Sequence, residues 1–253
     1  MGSLSDMHIP KAFTARIVFA DKHLVVIDKP SGMPSVPART PLDPPSVIQT
    51  LADSYGFLEA VHRLDRDTSG LLVLARTSEA RAFLGRAMEL RHVQKRYLAV
   101  VHGTLASPEG IVHLPLADDP WKPPRKRIDP IRGRRATSRW RQLAITQTPH
   151  GILSLLELEP ITGRSHQLRA HLAWLGAAIV GDRLYGRPAG SPECLPTRLA
   201  LHAASIGFPN PADGTPMVFS APVEAAVPYT FFDLKHTCVK RFLSPAAAQR
   251  GPG

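Results

Sequence analysis

Apolar and polar residues fall into short blocks along the chain. Ile17-Val18-Phe19 and Leu24-Val25-Val26-Ile27 surround Asp21-Lys22, a pattern that predicts two strands joined by a turn. Lys29 to Pro45 is rich in proline and reads as an irregular loop. Ser46 is placed to cap a helix to about Tyr55, with Gly56 to stop it. Leu71 to Ala75 is short, continuous and bounded by polar residues, which predicts a buried strand. Ser78 is placed to cap a helix to about Leu90, in which Phe83, Leu84, Ala87 and Met88 recur at helical spacing. Arg96 to His102, Ile152 to Glu159, Leu199 to Phe208 and Met217 to Ser220 read as strands. Thr162 to Gly176 reads as a turn and then a helix; Leu168, Leu172 and Leu175 share one face and Gly176 stands at the C-terminal cap. Leu105 to Pro130 shows many prolines and little periodicity.

Strands outnumber helices and no regular βαβ alternation appears. The fold class is therefore α+β with a mixed central sheet rather than a doubly wound parallel one. Neither a repeat nor an internal boundary interrupts the pattern. One domain is expected over residues 14–235, between a flexible lead-in, 1–13, and a loose tail, 236–253.

Charge narrows the class of partner. Lys and Arg total 31 against 21 acidic residues, a formal charge of +10. That balance favours a polyanion, nucleic acid first among them. The densest basic stretch is 122–141, with Arg125, Lys126, Arg127, Arg134 and Arg135, flanked by Trp121 and Trp140. Basic groups there could neutralise phosphates and the aromatics could stack on bases; a solvated basic loop is the other reading. No apolar run is long enough to span a membrane, and the N-terminus lacks a secretory core. These features imply a soluble cytoplasmic protein. Cys194 and Cys238 have neither metal nor disulfide spacing and read as plain thiols.

Chemistry concentrates in VHRLDRDTSG, Val61 to Gly70, just before the buried run. Polar residues at the end of a buried strand are rigidly held yet can face a cleft, so Asp65 is the first candidate; a turn or cap aspartate is the plainer alternative. Asp65 and Asp67 point to opposite faces if extended, which disfavours a carboxylate dyad. His62, His166 and His171 invite a metal, but a five-residue step between the last two is wrong for a helical pair and HExxH is absent. The three read as structural histidines and no metal is expected. A phosphate-binding P-loop is missing as well. By pattern alone, Tyr97 is a core tyrosine.

HRLDRDTSGLLVLAR resembles the HRLDxxTSG signature of the RluA family of pseudouridine synthases. VVIDKPSGMPSVP, KRYLAVVHG, ITGRSHQLRAHLAWLGAAIVGDRLYG and LALHAASIGF resemble family segments in the right order, together spanning about residues 16 to 222. LPLADDPWKPPRKR followed by TSRW is most like the short, single-domain RluA type, which is linked with a 23S ribosomal RNA hairpin and the tRNA anticodon stem-loop. The catalytic segment begins by about residue 16, so an N-terminal S4 domain is not expected and the catalytic domain itself would bind RNA. The resemblance implies the pseudouridine synthase fold, a mostly antiparallel sheet with helices and loops around a cleft. It implies an isomerase needing no cofactor, and a monomer. It gives Asp65 the role of catalytic carboxylate. Tyr97 would stack on the uracil and help move its C5 proton. Arg164 would be the cation paired with the aspartate, and Arg63 would help hold the RNA with its base flipped out. A catalytically silent RNA-binding protein on the same fold is the alternative from another class, and a sugar-cleaving hydrolase a third.

Overall fold

The computed structural model describes residues 15–37, 44–186, 198–223 and 229–232. The expected lead-in 1–13, the tail 236–253, Cys194 and Cys238 lie outside these residues.

The elements in chain order are β1 (Arg16–Ala20), β2 (Leu24–Lys29), α1 (Val47–Tyr55), β3 (Glu59–Ala60), β4 (Ser69–Ala75), α2 (Ser78–Glu89), β5 (Gln94–His102), β6 (Glu109–His113), β7 (Leu116–Asp118), β8 (Lys126–Ile128), β9 (Thr137–Thr148), β10 (Gly151–Pro160), α3 (Gln167–Trp174), β11 (Leu201–Pro209) and β12 (Pro216–Ser220). The main sheet runs β1-β2-β4-β11-β5-β10-β9-β6, with β3 beside β4 and β12 beside β11. Only β4 and β11 pair in parallel among the described residues; the remaining partners are antiparallel. β7 and β8 form a separate two-stranded ribbon. No helix among the described residues is long and apolar enough to cross a membrane.

Period-two alternation splits the central strands between two cores. Val25, Ile27, Leu72 and Leu74 face the larger core with Tyr97, Leu98 and Leu155. Leu24, Val26, Leu71 and Val73 face the other, which α2 covers through Leu84. With both faces covered, β4 is buried along its whole length, which is why Leu71 to Ala75 reads as an unbroken apolar run.

β4 and β11 meet tightly. Gly70, at φ +105°, pairs with Ala203. A Cβ there would stand 2.3 Å from the Ala203 carbonyl oxygen and 2.6 Å from its nitrogen, so only glycine fits. This crossing lies at the end of β4 nearest the polar segment that holds Asp65.

Three local expectations are corrected. α2 is capped by Thr77, not Ser78: Thr77 has an extended backbone and its hydroxyl accepts the Ala80 N–H at 3.1 Å. The stretch Leu105 to Pro130 holds β6, β7 and β8. The basic run 122–141 is not one loop, since its last residues open the long strand β9. Arg139 and Arg141 there pair across the strands with Glu159 and Glu157. β9 hides in the sequence because one face is ionic and a register shift opposite Leu155/Leu156 breaks its alternation.

Candidate active site

Asp65 stands in the short segment between β3 and β4. The proline-rich loop after β2 clamps that segment. Ser35 Oγ donates to the Leu64 carbonyl at 2.9 Å and accepts the Leu64 N–H at 3.1 Å. Ser31 Oγ donates to the Asp67 carbonyl at 2.6 Å, and the Gly32 N–H to the Arg66 carbonyl at 2.9 Å. At the centre, the buried Lys29 ammonium donates to the carbonyls of Pro30, Met33 and Arg66 at 2.9, 2.7 and 2.9 Å. Burial pulls Lys29 down to about 7, opposed by the charges of Asp67 and Asp65. All three ammonium protons are thus spent on backbone, and residues 30–37 of the stretch that reads as an irregular loop back the segment that holds Asp65.

The cation paired with Asp65 is Arg169, on the first turn of α3. Its Nη1 donates to Asp65 Oδ2 at 3.1 Å. Its Nε and Nη2 donate to Asp182 Oδ2 and Oδ1, both at 2.8 Å. The Asp182 side chain is 0% exposed and that of Arg169 only 4%. Asp182 Oδ1 also accepts the backbone N–H groups of Leu184 and Tyr185. Burial works against the guanidinium charge, but the bonds and charges of Asp182 and Asp65 outweigh it and push Arg169 above its ordinary value. A bidentate fork thus fixes Arg169 on Asp182 through Nε and Nη2 and leaves Nη1 to donate to Asp65.

The expectation that Arg164 supplies this partner is corrected. Arg164 lies on the turn before α3, and its Nε donates to the Arg135 carbonyl at 3.0 Å. It lines the same cleft as Asp65. TGRSHQLR contains two arginines, and α3 starts only at Gln167, so it is the second that the helix turns inward. Asp182 and Tyr185 also escaped the sequence reading, although GDRLYG closes one of the resembling segments; an acidic residue directly after an apolar stretch was the available signal.

Tyr97, on β5, is 8% exposed and lies between Leu158 of β10 and Ala203 of β11. Burial, then the Asp65 charge, pushes its phenol well above the ordinary range. It therefore stays protonated and close to Asp65. Tyr97, Asp65, Arg169, Arg164 and the exposed Arg63 line one cleft of about 1080 Å³, roomy for a nucleotide by the standard of ligand pockets, roughly 300–1,000 Å³.

The histidines part ways. His171 is bonded to Ser138 Oγ and the Leu114 carbonyl, each at 2.9 Å. His62 Nε2 accepts the Val73 N–H at 3.3 Å. His166 instead faces Asp65, with Nε2 3.9 Å from Oδ2. None of the five basic candidates is among the residues that line the cleft. Arg125 and Lys126 border the ribbon β7–β8, with the Arg125 guanidinium 5.0 Å from the Tyr185 ring centre. Lys126 pairs with Asp118, and Arg127 with Asp129 at 2.8 Å. Arg134 bridges to Leu116 through its backbone, and the Arg135 carbonyl receives Arg164.

The arrangement is a carboxylate held by a buried cation, next to a protonated phenol, in an open cleft bordered by positive charge. Such a site can serve a nucleophilic or proton-abstracting carboxylate on a polyanionic substrate. Comparisons with known proteins agree. The model for the RNA pseudouridylate synthase family matches residues 23–174. Proteins named dual-specificity RNA pseudouridine synthase RluA are similar over most of their length. That of Pasteurella multocida is 41% identical over 206 residues, 81% of this chain and 92% of the relative. The one from Haemophilus influenzae is 38% identical over 205 residues, 81% of this chain and 91% of the relative. The Escherichia coli protein is 38% identical over 208 residues, 82% and 93%. Among solved structures, human RNA pseudouridylate synthase domain containing 1 shares the fold with a TM-score of 0.72 at 23% identity, covering 89% of each chain. Human RNA pseudouridylate synthase domain containing 4 gives 0.64 at 24% identity, covering 82% of this chain and 88% of the other. The chain belongs to the RluA family of RNA pseudouridine synthases.

Proposed function

We propose that this chain isomerises particular uridines in structured RNA, with Asp65 as the essential carboxylate. The observation that carries the reading is the Asp65–Arg169 ion pair at 3.1 Å, in a cleft shared with Tyr97. The reaction breaks the bond from uracil N1 to the ribose C1′, turns the base, and joins C5 to C1′. The proton on C5 leaves and N1 gains one, so no electrons enter or depart. Asp65 acts at the sugar, either by attacking C1′ or by taking a ribose proton. Arg169 donates to the carboxylate from a guanidinium already fixed on Asp182, which holds it in place. Tyr97 offers a ring face for a uracil taken out of its stack and a hydroxyl that relays the C5 proton. Arg63, Arg164 and the basic residues Arg125, Lys126, Arg127, Arg134 and Arg135 hold phosphates around the flipped nucleotide.

The targets to test are a 23S ribosomal RNA hairpin and a tRNA anticodon stem-loop, in keeping with the names of the similar proteins, which describe dual specificity. A monomer acting in the cytoplasm completes the proposal. The test is mass spectrometry of carbodiimide-labelled RNA after incubation with wild type and Asp65→Asn. Wild type should create labelled pseudouridine in at least one target, and Asp65→Asn should bind RNA yet make none. Turnover by the variant at the wild-type rate overturns the role of Asp65. Free uracil in place of pseudouridine points to a hydrolase, and tight binding without either product to a silent RNA-binding protein.

A further inference from the structure

His166 is the feature of the cleft that the ion pair and the phenol leave unexplained. Its backbone is left-handed, φ 55° and ψ 16°, a conformation shared by only one other non-glycine residue among those described, Arg91. It occupies the N-cap position of α3 yet makes no capping bond with its side chain. A histidine held in this region, with its cap unused, signals that the imidazole is needed elsewhere. The ring is 14% exposed on the wall of the cleft and packs edge-on to Tyr185, with ring centres 5.7 Å apart.

The hydrogen bonds fix which nitrogen carries the proton. Tyr185 Oη already accepts the Lys126 backbone N–H at 2.6 Å. Its single proton has one remaining partner among the described residues, His166 Nδ1 at 3.0 Å. Tyr185 therefore donates to Nδ1, and in the neutral ring the proton sits on Nε2. Burial, helped by the Arg169 charge and opposed by Asp65, lowers the imidazole from its ordinary value and keeps it neutral. That Nε2–H lies 3.9 Å from Asp65 Oδ2, too far for a hydrogen bond, which reaches about 3.2 Å. Among the described residues this pre-oriented donor has no acceptor, and it stands beside the carboxylate that works at the sugar.

We propose that His166 contacts the substrate, donating its Nε2–H to the 2′-hydroxyl oxygen of the target ribose, with Tyr185 setting the tautomer. This rests on the pseudouridine synthase reading of the same cleft. A carboxylate that acts at C1′ or at the neighbouring C2′ brings the oxygen on C2′ to this wall. The contact reads ribose against deoxyribose at the modified nucleotide and seats the sugar against Asp65.

The test compares two hairpins, one with uridine at the target and one with a single 2′-deoxyuridine there. Wild type should prefer the ribose target in kcat/KM by about tenfold, the worth of one hydrogen bond near 1.4 kcal/mol. His166→Asn suits the left-handed backbone and keeps an acceptor for Tyr185, but ends short of the ribose. It should lose that preference while retaining the wild-type melting temperature and affinity for the deoxy hairpin. His166→Gln restores an N–H near the Nε2 position and should recover part of the preference. Should His166→Asn not fold, Tyr185→Phe, which frees the tautomer, should lower the preference instead. A preference absent in wild type, or undiminished in a folded His166→Asn or Tyr185→Phe, overturns the inference while pseudouridine formation still stands. Absence of pseudouridine from wild type on either ribose target refutes the parent reading instead.

Discussion

Arg169→Met is the sharpest probe of the site. Methionine nearly matches the length of arginine but removes three charge-assisted hydrogen bonds, at 2.8, 2.8 and 3.1 Å. Asp182, with its side chain wholly buried, keeps only backbone donors. Removing one partner of a buried pair costs about 3–5 kcal/mol, because the other charge stays behind uncompensated. For a chain of this size each kcal/mol moves the melting temperature by about 2–4 °C, so a fall of roughly 6–20 °C is expected. Activity should suffer separately. Asp65 loses one charged bond, worth about 1.5–3 kcal/mol, or on the order of ten- to a hundredfold in kcat. The double variant Arg169→Met with Asp182→Asn removes both buried charges. It should regain part of the stability and none of the activity, since Asp65 still lacks its cation. Thermal unfolding followed by circular dichroism, and single-turnover pseudouridine formation, give the two readouts. A wild-type melting temperature and rate for Arg169→Met would refute the idea that this fork holds the carboxylate. Recovery of rate in the double variant would reduce Arg169 to a purely structural part.

Tyr97→Phe keeps the ring and loses the hydroxyl; RNA affinity should hold while the rate drops by about a hundredfold or more, as for a lost proton-transfer group, and an unchanged rate in the same assay removes that role. Gly70→Ala forces a Cβ to 2.3 Å from the Ala203 carbonyl oxygen at φ +105°; a loss on the order of 4 kcal/mol is expected, read in urea unfolding, and a loss below 1 kcal/mol, estimated on the same scale, shows that the crossing can open. His202 is buried, bonded to Ser69 Oγ at 2.9 Å, and burial lowers its pKa from 6.5 to about 4. As pH falls the unfolded chain takes up this proton first, so the contribution is complete above 6.5 and declines towards 4, by about 3 kcal/mol in all. Melting temperatures across that range should fall in wild type and flatten in His202→Gln; parallel curves contradict the assignment.

Much of this protein is legible along the chain, because the forces involved are local. Leu71 to Ala75 is a strand buried on both faces, so it must be apolar throughout. Ser46 and Gly56 bracket α1 because helix ends leave backbone groups that need caps. The polar burst around Asp65 stands out for the same reason: charged groups beside a buried strand demand partners. What the chain does not display is who those partners are. Asp65 and Arg169 are separated by 104 positions, and nothing in TGRSHQLR distinguishes Arg164 from Arg169 until α3 begins at Gln167. Lys29 reads in sequence as the first residue of a loop, and only the folded chain shows its ammonium capping three carbonyls. β9 is masked because its charges are satisfied across the sheet by Glu157 and Glu159. Local pattern thus determined most of the central elements and pointed to Asp65 as the candidate carboxylate, through burial and capping. Only the tertiary structure decided which cation, phenol and imidazole meet at it, since electrostatic partnership depends on distance in space and not on distance along the chain.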